Sequence, residues 1–299
     1  MELRHLRYFV AVAEELHFGR AAQRLAIAQP PLSQQIRRLE QELGVLLLQR
    51  TKRRVQLTEP GRAFLEEARK VLAQANQAIT IAQRASRGEV GRLAIGFLGA
   101  ATFSLLPAIL KLFRQRFPAV EIELHELKTS ELIQSLRQKR VHVGLVRLPV
   151  EDDLLEVEPI VQERLVVALP ETHPLTEKAR VPFRDLAAET FLLPPRQLAP
   201  TFYEQLTGLA HQAGFSLRLG AEASQLQTIL NLVAAGMGVT LVPESVMQWG
   251  GRGVVFKRLP EPAPTMEIAA AWRRDDASEV LHAFLKVVRE TVHQNALPK

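Results

Sequence analysis

Cysteine is missing from all 299 residues. Disulfides, thiolate nucleophiles and cysteine metal sites are therefore excluded, which suits a reducing compartment. The eight histidines form no HxH or HxxxH pair, so the sequence gives no support for a bound metal. No G-x-S-x-G elbow is present, and Gly236-Met237-Gly238 lacks both a following GKS/T and the full GxGxxG spacing, which leaves a helix C-cap as the simpler reading. No apolar run approaches membrane-spanning length, and the opening Met-Glu-Leu-Arg-His has no apolar signal region, so a soluble cytoplasmic protein is expected. Neither catalytic residues nor a cofactor are expected.

Excess charge is missing from the C-terminal two-thirds. Residues 1–88 hold 15 Lys and Arg against 8 Asp and Glu, whereas the remainder is nearly balanced, so the net charge of +6 originates at the N-terminal end. A localised basic excess is the electrostatic footprint of a nucleic-acid partner, because neutralising phosphates releases counterions. A basic membrane-surface helix is the rival explanation, and it lacks an opposing Trp/Phe/Leu face.

What is present begins with residues 18–43. Ala21, Ala22 and Leu25 make one small apolar face, and Leu32, Ile36, Leu39 and Leu43 recur at helical steps after a turn at Ala26-Ile27-Ala28-Gln29. Pro30 and Pro31 fit only the first turn of a helix and fix where the second one starts. Its exposed face carries Ser33, Gln34, Arg37 and Arg38, side chains suited to base edges and phosphates, and Gln29, Pro30 and Pro31 just before it are counted with the DNA-binding candidates. An amphipathic helix precedes this pair (Leu3, Leu6, Phe9, Val10, Ala13). Beyond Gly44 the basic run Arg50, Lys52, Arg53 and Arg54 suits a two-stranded wing. An ordinary amphipathic helix pair is the plain alternative, and the flanking helix and wing argue against it.

These residues resemble the N-terminal region of the LysR-type transcriptional regulators. MELRHLRYFVAVAEELHF, AAQRLAIAQPPLSQQIRRLEQELGVLLLQR and LTEPGRAFL stand in family order. The muconate-responsive regulators of aromatic catabolism and the regulators of acetoin synthesis are the most similar subgroups. The resemblance implies a promoter-binding homo-oligomer built as a dimer of dimers, usually an activator, with RNA polymerase contact possible.

Three parts follow from this reading: a winged helix-turn-helix at 1–58, a coiled-coil linker at 59–88, and an effector-binding domain at 89–299. The fold class is α/β, the last part being two-lobed and periplasmic-binding-protein-like (type 2), with lobe I at 89–161 plus 266–299 and lobe II at 162–265. The spacing predicts a helix from an N-cap at Thr58 to about Arg87. Leu65, Ala68, Leu72, Ala75, Ile79 and Ala82 form a 3-4 seam along it. That seam suits a dimerisation helix, against the alternative of a helix lying on its own domain. From residue 93 strands alternate with helices in a βαβαβ pattern, hence a mainly parallel sheet. Val120 to Leu127 alternates with polar residues and is a candidate edge strand. A helix is expected at 103–117, and lobe II is expected to hold a strand at 164–169.

Ligands of open parallel sheets bind beyond the carboxyl ends of the strands. Gly99 and Ala100, Thr129, and Pro200 with Phe202 stand at such places, and together they suit a small carboxylate. Each also has a plain reading as cap or core. The resemblance implies that the positions of Gly99, Thr129, Pro200 and Phe202 surround the effector in muconate-responsive relatives, which carry serine where this chain has Ala100. Arg147 could bind an anion or pair with Glu163. Asp152-Asp153 reads as a solvated loop. The competing function is a small-carboxylate binding protein or enzyme without sequence-specific DNA binding.

Overall fold

The computed structural model describes residues 1–50 and 54–296. The chain divides into two compact units, Met1–Arg84 and Ala85–Lys299.

The first unit contains α1 (Leu3–Glu15), α2 (Phe18–Arg24), α3 (Gln29–Leu43), the antiparallel pair β1 (Leu48–Arg50) and β2 (Val55–Leu57), and most of α4 (Glu59–Ala85). Each helix turns its apolar stripe inward: Phe9, Ala21, Leu32, Ile36 and Leu39 are wholly buried. Phe9 meets Phe64 of α4 edge to face at 5.1 Å, an arrangement stronger than area burial alone. Gln29 already belongs to α3, which puts Pro30 and Pro31 in its first turn and leaves residues 25–28 as the connection. Thr58 caps α4 by accepting the Gly61 N–H at 2.9 Å.

Helix α4 ends at Ala85, two residues earlier than expected. Gly88 lies in the turn beyond it with φ +67°, and a side chain there would meet the Glu279 carbonyl at 2.6 Å. The seam residues divide between two environments. Leu65 and Ala68 belong to the core of the first unit and Leu72 packs against that core, whereas Ile79 is 54% exposed, and Val71 and Ile81 elsewhere on the helix are exposed too. Half of the seam therefore has an intramolecular role, because the helix must also cover α1.

The second unit begins with β3 (Val90–Phe97), a 3-10 turn (Gly99–Phe103), α5 (Leu106–Arg116), β4 (Ala119–Glu126), α6 (Thr129–Arg137) and β5 (Val143–Arg147). It continues through β6 (Leu155–Pro170), β7 (Thr190–Leu193), α7 (Pro200–Gln212), β8 (Arg218–Glu222), α8 (Leu226–Ala234) and β9 (Thr240–Pro243). A further 3-10 turn, β10 (Val254–Arg258), β11 (Thr265–Arg273) and α9 (Glu279–Ala296) complete it. The main sheet runs β10-β6-β11-β5-β3-β4, with β9 also on β6. Strand β4 is at the edge, as its half-polar alternation predicts.

Three expectations need correction. The helix expected from Phe103 starts at Leu106, because residues 99–103 close a 3-10 turn and Ser104 (φ −118°, ψ −104°) breaks the path. The strand expected at 164–169 is the second half of the sixteen-residue β6. Its first half pairs with β11 and its second with β9 and β10, all antiparallel, so only the β4-β3-β5 portion of the main sheet is parallel. Strand β10 carries no clear alternation and is not predicted by sequence.

Candidate DNA-binding and effector-binding sites

In the first unit, α3 presents Gln29, Pro30, Pro31, Gln34, Arg37 and Arg38 to solvent, with Ser33 half-buried. Apolar positions at Leu32, Ile36 and Leu39 hold the opposite face in the core, so helical period alone turns this set outward. Arg38 sits 3.4 Å from Glu42 one turn on. Arg37 makes no ion pair among the described residues.

Arg50 departs from the expected role. Its guanidinium bonds Glu40 at 2.7 Å and lies 5.0 Å from the centre of the Phe18 ring. Glu40 is 6% exposed and also accepts the Leu47 and Leu48 N–H groups at 3.0 and 3.1 Å. A buried carboxylate needs a counter-charge, and Arg50 supplies it, so Arg50 fastens the wing to α3. Glu40 itself escapes sequence reading because it looks like one more polar position on an amphipathic helix. Lys52 and Arg53 lie outside the described residues, and Arg54 is exposed.

In the second unit, a cavity of about 520 Å³ opens at the carboxyl ends of β3, β4 and β5. Gly99, Ala100, Thr129, Arg147, Pro200 and Phe202 all line it. Arg147 ends β5. Its guanidinium makes no ion pair among the described residues, Nε is buried without a hydrogen-bond partner, and Cζ lies 5.0 Å from the centre of the Phe202 ring. Desolvation pulls its pKa down to about 10, which still leaves the group cationic at neutral pH. Glu163, the partner considered from sequence, instead accepts the Ser245 N–H at 3.2 Å.

Phe202 is buried and forms the floor under Arg147. Thr129 is the first residue of α6 and not its cap, since Lys128 holds the N-cap position. The Thr129 hydroxyl accepts the Arg147 N–H at 3.4 Å, tying the helix start to the strand end. Beside Gly99, the Ala101 N–H is consumed by a bond to the Leu98 carbonyl at 2.8 Å.

Residues not anticipated also line the cavity, notably Glu126, Lys128, Ser224 and Gln225. Glu126 ends β4, so the strand-end rule that found Arg147 would have found it too. The Asp152 side chain is not solvated as expected: it is 1% exposed, bonds Arg137 at 2.8 Å and accepts the Leu154 N–H at 3.0 Å. Among the described residues, no cluster of His, Asp and Glu fit to hold a metal occurs, and no helix is long and apolar enough to cross a membrane.

A helix-turn-helix unit with an exposed polar recognition face, joined in one chain to an α/β unit with a cation-lined cavity, defines a transcription regulator that carries its own ligand-binding domain. Residues 3–62 match the bacterial regulatory helix-turn-helix protein, lysR family, and residues 86–293 match the LysR substrate binding domain. The chain belongs to the LysR family of DNA-binding transcription regulators, and is not an enzyme. It is 42% identical over 287 residues to the transcriptional regulator AlsR of Bacillus subtilis (96% of this chain, 95% of that protein). It is 37% identical over 292 residues to the regulator BenM of Acinetobacter baylyi (97% and 96%). Among solved structures it is similar to full-length CbnR bound to its target DNA, with a TM-score of 0.87 and 31% identity, covering 98% of this chain and all of that one.

Proposed function

We propose that the chain binds promoter DNA as a dimer or a dimer of dimers, and activates transcription when a small carboxylate enters the 520 Å³ cavity. The observation that carries the effector reading is the Arg147 guanidinium, desolvated and without a carboxylate partner among the described residues. A buried cation of this kind is costly to the protein alone, and an anion that pairs with it recovers much of that cost. No further cofactor enters the scheme.

Dimerisation is supported by the exposed apolar residues Val71, Ile79 and Ile81 on α4. It also serves recognition, because paired α3 helices can read half-sites about one DNA turn apart, roughly 34 Å. The solved CbnR complex with target DNA supports the same partner. Effector binding then acts through its differential affinity for two lobe arrangements, which alter how paired DNA-binding units bend the promoter and meet RNA polymerase.

Footprinting the purified protein upstream of its own gene tests the reading. Protection spanning two or more helical turns and competed poorly by random DNA is expected. Equal competition by random DNA would overturn it.

A further inference from the structure

The cavity holds four charged side chains, and two of them cancel. Lys128 and Glu131 lie 3.6 Å apart, one turn from each other at the start of α6. That leaves Arg147 and Glu126, neither of which has an ion-pair partner among the described residues. Their strands are parallel neighbours of β3: Phe97 is in register with Glu126 on one side and with Leu145 on the other. With strand spacing near 4.8 Å and two further residues to Arg147, the two Cα atoms stand about 12 Å apart, at the same end of the sheet.

The Glu126 carboxylate turns towards the cavity mouth of β3. Its Oε1 lies 2.6 Å from where a side chain on Gly99 would begin, so only glycine leaves the carboxylate this position. The Gln225 carboxamide, which comes from the other lobe, lies 4.0 Å from the same point. The two lobes thus bring an anion and an amide together at one end of the cavity, while the cation and the phenyl floor occupy the other.

From this we infer that the effector is a carboxylate that also carries a hydrogen-bond donor, an ammonium in preference to a hydroxyl. Arg147 takes the carboxylate, and Glu126 with Gln225 takes the donor. This rests on the effector reading above and sharpens it. A dicarboxylate of the muconate kind is disfavoured, since its second carboxylate would face that of Glu126. A plain monocarboxylate leaves the Glu126 carboxylate and the Gln225 carboxamide without a ligand partner. Gln225 contributes from the second lobe, so a donor-bearing ligand bridges the lobes in a way a plain acid does not.

The test uses the full-length protein and a four-carbon series: butyrate, 2-aminobutyrate, 4-aminobutyrate, 4-hydroxybutyrate and succinate, each titrated by calorimetry. At least one amino acid of the series should bind ten-fold or more tightly than butyrate and succinate, with the hydroxy acid between. Glu126→Gln keeps the size and an acceptor but removes the charge. It should erase most of that preference and improve succinate binding, with an unchanged melting temperature in the absence of ligand. Gly99→Ala, which displaces the carboxylate instead of neutralising it, should weaken the same preference. Succinate binding at least as tightly as both amino acids, or a preference that survives Glu126→Gln, overturns the inference and leaves the carboxylate reading standing. Binding of none of the five, or binding unchanged in Arg147→Ala, overturns both.

Discussion

At the scale of single residues, arginines similar in sequence context have opposite roles. Arg37 faces solvent from α3, whereas Arg50 is bound to buried Glu40 and stacked on Phe18. Arg37→Ala should weaken specific promoter binding by about 1 to 3 kcal/mol and leave the urea midpoint unchanged. Arg50→Ala should instead lower stability by about 3 kcal/mol, because Glu40 remains buried without its counter-charge. Parallel binding isotherms and urea curves separate the two. Arg147 poses the inverse case, a buried charge with no partner among the described residues. Its desolvation acts against the folded state at neutral pH. Because its folded pKa lies below the unfolded value, that penalty is fully present below about pH 10 and shrinks as the pH rises above it. Arg147→Met should therefore keep or raise the melting temperature of the ligand-free protein while abolishing stabilisation by carboxylates, which differential scanning fluorimetry reads directly. Sequence alone located Arg147 by its place at a strand end. It could not show that the guanidinium lacks a carboxylate, because Glu163 stands close enough in sequence pattern to be its partner and only the fold sends it to Ser245.

At the scale of elements, periodicity revealed existence and type, while boundaries depended on contacts that no local pattern carries. The three N-terminal helices follow from apolar spacing, and Pro30 and Pro31 fix the start of α3 by steric exclusion. Strand β4 declared its edge position through alternation. Strand β6 did not declare its length, since its first half is only partly buried and alternates weakly before the continuous run from Leu165 to Pro170. The α4 seam shows the same limit. A 3-4 spacing says that one stripe is covered and not by what: Leu65 and Ala68 are covered by their own domain, whereas Ile79 remains open. Charge at the two ends should accordingly have different effects. Ile79→Asp is expected to lower the oligomeric state in sedimentation velocity without unfolding the first unit. Leu65→Asp is expected to melt that unit, since a buried unpaired carboxylate costs several kcal/mol. Equal dissociation by both, with helicity intact, would contradict the division.

At the scale of the whole molecule, one chain joins a basic DNA-reading unit to an α/β unit whose cavity is built around a cation with no ion-pair partner among the described residues. The family follows from both parts, and the N-terminal sequence already pointed to it through the recognition helix and the localised positive charge. The effector is encoded more diffusely, in side chains from β4, β5, α6, α7 and the start of α8 that only the fold assembles. The central claim is that occupancy of that cavity changes how the chain holds its promoter. The most direct measurement is promoter footprinting with and without 4-aminobutyrate and its 2-amino isomer at saturating concentration, on the wild type and on Arg147→Met side by side. The account predicts that a binding ligand shortens or shifts protection and the accompanying DNA bend in the wild type, and that Arg147→Met binds the same promoter with a footprint the ligand no longer alters. A ligand that stabilises the wild-type protein through Arg147 yet leaves footprint, bend and transcription unchanged would contradict it.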